Sequence, residues 1–394
     1  MPEPIQNNLR ARMTEELEDL REDSQLRTLD HLGGINLCSN DYLGLAFDPR
    51  LKQAALASVA NADAMGSTGS RLLSGNSREW EELETEFARF AGTEAALYFG
   101  SGYAANVGLL SSILKPGDVV FSDALNHASL IDGMRLSGAQ KVIYPHGDME
   151  FLESALREEF SSAGVKVIVT ESVFSMEGDV APLEPLVRLA RKYDAELVID
   201  EAHATGVCGP EGRGIAADLG FDREILAIVH TCGKALASAG AFVCCGNELK
   251  NYLVNRARTF VFSTAMPPYM AGQIRAALGI ARAADDRRAL LCKLAANLRE
   301  RLGAAGIGTS HSTTHIIPVF LGSNEAALHV AAELQANGFA VKAIRPPTVP
   351  AGTARLRISL TSRITLEEID RLAEVIVRAE KSLALPNSAS AVHA

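Results

Sequence analysis

The chain has 394 residues, which is enough for a large buried core and, at about 150 residues a domain, for two domains. Apolar residues make up 47% and charged residues 22%, the composition of an ordinary globular protein. The formal charge of -10, together with the lack of any long basic run, argues against a nucleic-acid-binding or anionic-membrane-binding protein.

The cysteines and the first residues indicate a cellular compartment. The six cysteines are scattered and none lies in a Cys-x-x-Cys pair, so in a chain of this length they predict reduced thiols. Residues 1–12 are polar and carry no apolar signal region. Because no segment approaches about eighteen consecutive apolar residues, a membrane span is not expected. These features predict a cytoplasmic protein.

The first predicted elements are an amphipathic helix over residues 13–28 and a short strand at 35–38. The helix precedes any core strand, so we expect residues 1–38 to form an arm that packs on the body or on a partner subunit. Residues 39–45 form a polar turn that returns to apolar residues, and its asparagine and aspartate are common turn formers.

Apolar runs typical of buried strands then alternate with helical segments. This alternation predicts an α/β fold with a mostly parallel, doubly wound sheet. Strands are expected at 95–99, 119–121, 142–144, 165–170, 197–199, 225–229 and 241–245, and helices at about 77–91, 149–160 and 185–193.

The C-terminal third predicts a smaller α+β domain. A long helical region at about 269–304 is expected to carry the chain out of the large domain. Strands then follow at 316–321, 340–343 and 355–360, and helices at 324–337 and 365–382. The predicted division is an arm at 1–38, a large domain at 39–285, a small domain at 286–385 and a disordered tail at 386–394.

Two apolar strands end in residues that suit a cofactor. Asp200 follows residues 197–199, at the carboxyl end of a strand, where open α/β sheets bind their ligands. The run 225–229 leads in the same way to Thr231 and Lys234. A lysine and a carboxylate in one cleft suit a Schiff base to pyridoxal phosphate, with the carboxylate against the pyridinium nitrogen. The same residues also fit a helix N-cap and a surface turn, so the local pattern leaves both interpretations open.

Two glycine- and serine-rich stretches suit close approach of the backbone to an anion. Strand 95–99 is followed by Gly-Ser-Gly at 100–102 and a helix, which fits a phosphate site and equally a tight turn. Residues 66–76 fit a ligand loop or a flexible connector. A phosphate-binding P-loop is excluded at Gly233-Lys234, because Ala235 replaces the required serine or threonine.

Taken together, five motifs resemble the α-oxoamine synthases, fold-type-I pyridoxal-phosphate enzymes that condense an amino acid with an acyl thioester. The resemblance covers roughly residues 20–383. Within the family, residues 344–350 resemble the member of the biotin pathway, which joins L-alanine to a pimeloyl thioester on coenzyme A or acyl carrier protein. The motifs are Ser39-Asn-Asp-Tyr-Leu-Gly-Leu45, Gly69-Ser-Arg-Leu-Leu-Ser-Gly-Asn76, Asn126-His127, Asp200-Glu-Ala-His203 and Thr231-Cys-Gly-Lys234.

The resemblance implies four catalytic residues. Lys234 would form the Schiff base with the cofactor, and Asp200 would pair with the pyridinium nitrogen, so that the ring can accept electrons. His127 would stack on the ring face, and His203 would hydrogen-bond to the phenolic oxygen. No metal is implied.

The resemblance also implies a cofactor-phosphate site and a homodimer. The backbone amides of Gly102 and Tyr103 and the hydroxyl of Thr231 would reach the phosphate. Ser263 and Thr264 match a segment that reaches the phosphate of the partner subunit, which places the active sites at a subunit interface. Further matches surround the substrate and the cofactor's oxygen, at Asn40, Glu171 and Ser175.

Arginines are expected to bind the substrates. By resemblance, Arg345 would bind the amino-acid carboxylate, for which a bidentate guanidinium is well suited, with Thr348 in the same stretch. Arg21 matches a position near the entrance of the acyl substrate. Arg355 and Arg357 alternate with apolar residues in their strand and are expected to share the face that points away from the core, where they could compete with Arg345 for the carboxylate but are favoured as structural or dimer contacts.

The reaction implied is a decarboxylating condensation of L-alanine with pimeloyl thioester to 8-amino-7-oxononanoate. Three alternatives stay open at this point. A sister enzyme would use glycine or serine with another acyl-CoA, an aminotransferase would use the same fold for a different reaction, and a scaffold protein would bind no cofactor at all.

Overall fold

The computed structural model describes residues 8–31, 33–160 and 163–383. The predicted tail at 386–394 and the first seven residues of the predicted arm lie outside these ranges. Of the helices in the described ranges, none combines the length and the apolar character that crossing a membrane requires.

The strands match most of the predicted positions. Two predicted strands, 95–99 and 241–245, are confirmed residue for residue. The strands are β1 Ile35–Asn36, β2 Ala95–Phe99, β3 Val119–Asp123, β4 Gln140–Tyr144, β5 Lys166–Glu171, β6 Glu196–Asp200, β7 Ala227–Thr231, β8 Ala241–Cys245, β9 Ile316–Gly322, β10 Phe339–Ala340, β11 Ala343–Ile344 and β12 Ala354–Ser359.

Helices cover both faces of the main sheet and most of the C-terminal part. They are α1 Leu9–Glu22, α2 Pro49–Ala60, α3 Arg78–Ala91, α4 Gly102–Ile113, α5 Ala128–Ser137, α6 Met149–Glu158, α7 Leu183–Tyr193, α8 Ile215–Asp218, α9 Asn247–Arg256, α10 Arg258–Val261, α11 Tyr269–Arg282, α12 Asp285–Ala304, α13 Asn324–Ala336 and α14 Leu366–Leu383.

Among the described residues, seven strands form the central sheet in the order β2-β8-β7-β6-β5-β3-β4. Strand β8 is antiparallel to both of its neighbours, and the other neighbouring pairs are parallel. Side chains alternate between two cores: Val120 packs into the core beneath α4 and α5, and Phe121 into the core beneath α6 and α7. The predicted mostly parallel, doubly wound sheet is therefore confirmed.

A second sheet belongs to the C-terminal part of the chain. In the described residues, β11, β12 and β9 form an antiparallel sheet that is packed by α12 and α13. Strand β10 instead pairs with β1, which ties residues 35–36 of the predicted arm to this part. Along the chain, the strands of the central sheet precede α11 and α12, and the three-stranded sheet follows them. The predicted domain division stays a prediction.

Several predicted elements differ from the observed ones, and three of the differences have a clear structural cause. The strand expected at 225–229 begins two residues later, because its pairing with β6 starts at Ala227 opposite Val198. The strand expected at 340–343 is two short strands, because the chain leaves β1 there and joins β12. Helix α1 ends before the predicted boundary, where Ser24 has a φ of 54° that an α-helix does not contain.

Candidate active site

Three neighbouring parallel strands bring their last residues to one edge of the sheet. Glu171 ends β5 opposite Asp200, which ends β6, and Thr231 ends β7. All three are buried. Because the carboxyl ends of parallel strands meet at the same edge, side chains that are distant in sequence meet here. Asp200 and the segment that leads to Lys234 therefore come together, as predicted.

Asp200 is held by two hydrogen-bond donors. Its carboxylate accepts from Nδ2 of Asn106 at 2.7 Å and from the amide of Ala202 at 2.9 Å. Asn106 lies in α4, is buried, and also donates to Oγ of Ser129 at 2.9 Å. These contacts fix the direction of the carboxylate. The sequence analysis did not single out Asn106, because an asparagine within a helix carries no signal of its own.

Lys234 follows β7 by three residues and carries an amine with a shifted pKa. Burial lowers the pKa of the Lys234 amine to about 8, although the negative charges of Asp200 and Glu171 oppose the shift. At a pH near neutrality a useful fraction of such an amine is unprotonated. An unprotonated lysine is the nucleophile that a Schiff base requires.

Glu171 is a buried carboxyl group with one oxygen left unpaired. Among the described residues, no hydrogen-bond partner reaches its Oε1. Burial and the neighbouring Asp200 raise the pKa of Glu171 well above its ordinary value. An unsatisfied buried polar atom is costly, and a polar ligand group at this position would satisfy it.

The two site histidines are neutral. His203 is buried, and its Nδ1 lies 2.6 Å from the hydroxyl of Tyr42. Burial, followed by the charge of Lys234, holds the pKa of His203 well below its usual range. His127 precedes α5, its Nδ1 accepts from the amide of Ser129 at 3.2 Å, and burial lowers its pKa. Burial also raises the pKa of Tyr42 to about 12, so this hydroxyl keeps its proton.

The turn between β2 and α4 forms a narrow cradle. A Cβ atom at Gly102 would lie 2.8 Å from Cγ2 of Thr231, so the two predicted phosphate-binding residues are in contact. Tyr103 follows in the first turn of α4, where unpaired amides favour an anion. Ser263 and Thr264 line a small cavity together with Gly100 of the same chain. Their predicted contact with a partner's cofactor stays a prediction.

Arg357, which the sequence analysis favoured as a structural or dimer contact over a carboxylate ligand, lies among the site residues. It is only 8% exposed, and it donates to Oδ1 of Asn40 at 3.1 Å and to the carbonyl oxygen of Ser175. Its charge also lowers the pKa of Lys234. Arg357 lies on the face of β12 opposite Leu356 and Ile358, as expected, and this second face is buried as well.

Arg355 is likewise buried on this second face. Its guanidinium pairs with Oε1 of Glu177 at 2.9 Å and lies over the ring of Phe320. A structural role was among the expectations for this residue, and these contacts support it. Both arginines therefore face residues of the same chain.

The predicted substrate residues Arg345 and Thr348 contact the arm. Arg345 donates to the carbonyl oxygens of Ser24 and Leu26, and Oγ1 of Thr348 accepts from Arg27 at 2.9 Å. These contacts hold the arm against the stretch at 344–350. The carboxylate-binding role of Arg345 stays a prediction, and the contacts of Arg357 support it as the competing candidate.

A cavity of about 760 Å³ opens beside His127. Its walls are mostly apolar, which suits an acyl chain. Arg21, expected near the entrance of this substrate, is exposed on α1. The lining includes Leu125, Ile131, Met176 and Val349, with polar groups from Ser175, Glu177 and Thr348.

Comparisons with known proteins agree with this geometry. Residues 33–376 match the family model described as aminotransferase class I and II. The 8-amino-7-oxononanoate synthase of Geobacter sulfurreducens is 44% identical over 385 residues, which cover 94% of this chain and 98% of the relative. The enzyme of the same name from an Azoarcus species is 47% identical over 346 residues, 88% of either chain.

Two solved structures share the fold. A serine palmitoyltransferase from S. paucimobilis, described with a bound PLP–myriocin aldimine, superposes with a TM-score of 0.89 at 28% identity, over 96% of this chain and 100% of that one. The 8-amino-7-oxononanoate synthase of Francisella tularensis has a TM-score of 0.76 at 29% identity, over 89% and 99% of the two chains.

Proposed function

We propose the reaction of this chain from its family. The chain belongs to the class I and II aminotransferase family and, within it, to the 8-amino-7-oxononanoate synthases. It is a pyridoxal-phosphate-dependent acyltransferase of biotin biosynthesis. Its substrates are L-alanine and a pimeloyl thioester, carried on coenzyme A or acyl carrier protein. The observation that carries the proposal is the meeting of Lys234, Asp200 and His127 beside a cavity sized for an acyl chain.

The residues present fit pyridoxal phosphate. Gly102 leaves room that a Cβ atom would fill, Glu171 offers an unpaired polar oxygen, and Asp200 presents a fixed carboxylate. When bound, the cofactor supplies an electron sink for the negative charge that develops at the Cα of the amino acid. Asp200 would hold the proton on the pyridinium nitrogen, and Gly102 and Thr231 would contact the phosphate.

The basic residues of the site orient the amino acid and move its proton. Arg357 lies where its guanidinium can hold the alanine carboxylate, with Asn40 and the carbonyl of Ser175 fixing its direction. The Lys234 amine, with a pKa of about 8, is suited to take the Cα proton as a general base. His203, oriented by Tyr42, would donate to the phenolic oxygen.

The proposed condensation makes and breaks bonds at Cα of alanine and at the thioester carbonyl carbon. Cα of alanine loses a proton to Lys234 and forms a bond to the thioester carbonyl carbon, and the thiolate leaves and takes up a proton. The alanine carboxylate then leaves as CO2, and Cα takes up a proton. The neutral side chain of His127 closes one wall of the site without adding charge.

We also propose a homodimer in the cytoplasm. Ser263 and Thr264 are exposed in the single chain although they match a phosphate-contacting segment, which supports a second subunit. A sedimentation measurement of the holoenzyme tests the dimer, and a monomer would contradict it.

A product assay tests the reaction. Purified protein with pyridoxal phosphate is given L-alanine and pimeloyl-CoA, and 8-amino-7-oxononanoate is measured by mass spectrometry. Parallel reactions contain glycine with acetyl-CoA and L-serine with palmitoyl-CoA. The proposal expects product from the first pair at a rate far above the others. Preference for another pair would assign a sister reaction, and accumulation of the amino cofactor with pyruvate would assign an aminotransferase.

A further inference from the structure

His146 lies between two carboxylates outside the residues that contact the substrates. Its Nδ1 is 3.0 Å from Oδ1 of Asp123, and its Nε2 is 2.8 Å from Oδ2 of Asp179. Ionised carboxylates only accept hydrogen bonds, so both ring nitrogens carry a hydrogen and the ring is an imidazolium. Burial opposes this charge, but the two carboxylates raise the pKa of His146 to about 10. The ring edge packs against Phe174.

One side of this ion group is fixed to the central sheet. Asp123 is the last residue of β3, and its carboxylate also accepts from the amides of Leu125 at 2.8 Å and Gly147 at 3.1 Å. It therefore has the same position whether or not His146 is present. Any freedom in the group lies on the side of Asp179.

Asp179 belongs to a loop of the active site. Residues 173–180 form a loop closed by an antiparallel bridge between Val173 and Val180. Its residues 175–177 line the cavity beside His127. From the other side, Arg357 donates to the carbonyl oxygen of Ser175 and Arg355 pairs with Glu177. The loop is thus held by His146 from the large sheet and by two arginines from β12.

We propose that His146 is a positioning residue for the acyl-thioester cavity, which it builds by tying the loop at 173–180 to the end of β3. The imidazolium sets the distance between the wall formed by residues 175–177 and the opposite wall at His127. It does not touch the substrates. The inference rests on the proposed function, because it assigns the cavity to the thioester.

The location of His146 predicts different effects on alanine activation and on thioester binding. The chemistry at Cα of alanine depends on Lys234, Asp200 and Arg357, and besides its bond to the loop carbonyl of Ser175, Arg357 has bonds to Asn40 and Ser359, which lie outside the loop. Thioester binding depends on the wall itself. Loss of His146 should therefore weaken thioester binding more than alanine activation.

The test compares His146→Gln and Asp179→Asn with the wild-type holoenzyme. Glutamine carries no positive charge and has its donors on a single nitrogen, and Asp179→Asn removes the negative charge on the loop side alone. For both variants we expect KM for pimeloyl-CoA to rise about tenfold, as for a small misplacement of a binding wall. Exchange of the alanine Cα hydrogen with deuterium, measured without thioester, should stay within about twofold of wild type. The double variant should be no worse than either single variant.

The matched control is His329→Gln, because His329 is an exposed histidine in α13. An unchanged KM for pimeloyl-CoA in both test variants, or an equal loss of alanine exchange, would overturn the inference. If His146→Gln yields no holoenzyme, Asp179→Asn decides alone. The wild-type rate in the same assay tests the proposed function by itself. A failure of the positioning role of His146 can therefore be distinguished from a failure of the proposed function.

Discussion

The amide of Asn106 donates to the carboxylate of Asp200 at 2.7 Å, and thereby orients the group that we propose to face the pyridinium nitrogen of the cofactor. A hydrogen bond to a charged group contributes about 1.5–3 kcal/mol. We predict that Asn106→Ala lowers the affinity for pyridoxal phosphate by about 10- to 100-fold. Fluorescence titration of cofactor-depleted protein measures this, with Asn255→Ala, an exposed helix position, as control. Unchanged affinity would remove Asn106 from the cofactor site.

Substitution of Arg357 and of Arg345 should have different effects on alanine binding. If Arg357 holds the alanine carboxylate, Arg357→Lys loses the bidentate pair and should raise KM for alanine by about 10- to 100-fold. Arg345→Lys should have a smaller effect, because its guanidinium donates to carbonyl oxygens of the arm. Steady-state kinetics at saturating thioester measures both. A larger effect of Arg345→Lys would return the carboxylate role to Arg345.

The shifted pKa of Lys234 predicts how fast the protein takes up its cofactor. The nucleophilic form of the amine is the unprotonated one, and burial lowers its pKa to about 8. The rate at which cofactor-depleted protein captures pyridoxal phosphate should therefore rise with pH and level off above about 8. Stopped-flow absorbance across that range measures the midpoint. A midpoint near 10.4, the ordinary value for lysine, would mean that the amine is not buried in solution.

His146 predicts a pH dependence of stability. Its folded pKa, about 10, lies above the ordinary histidine value of about 6.5, so its contribution is fully present below about pH 6.5 and is lost as pH rises through 10. The charged groups that face it are Asp123 and Asp179, with Glu177 nearby. The difference in unfolding free energy between wild type and His146→Gln should shrink between about pH 6.5 and 10. Urea titrations at several pH values measure it, and a constant difference would contradict the charged clamp.

The sequence alone was sufficient for most of the fold, because strands buried on both faces are nearly continuous apolar runs. Strand β2 was located to the residue for this reason. The alternation in β12 placed Arg355 and Arg357 on the face opposite Leu356 and Ile358, but it did not show that their face is also buried. The second face of β12 is covered by residues distant in sequence, including Asn40 and Glu177, and no local pattern contains that information.

The candidate site was predictable where its residues follow strands and less so where they do not. Asp200 and Thr231 end neighbouring strands, so topology alone brings them together. Tyr42, which lies against His203, was within a quoted motif but carried no assigned role. Asn106 and His146 act through other residues, and their roles depend on distances that only the folded chain defines.

The central claim is that Lys234 binds pyridoxal phosphate and that alanine and a pimeloyl thioester react there. The most direct test is the visible absorbance of purified wild type and Lys234→Ala, recorded with pyridoxal phosphate, then with L-alanine, then with pimeloyl-CoA. We predict a cofactor band in wild type that shifts on adding alanine and changes again with the thioester, and loss of that band and of turnover in Lys234→Ala. A wild-type protein that binds no cofactor, or a Lys234→Ala variant that keeps full turnover, would contradict the account.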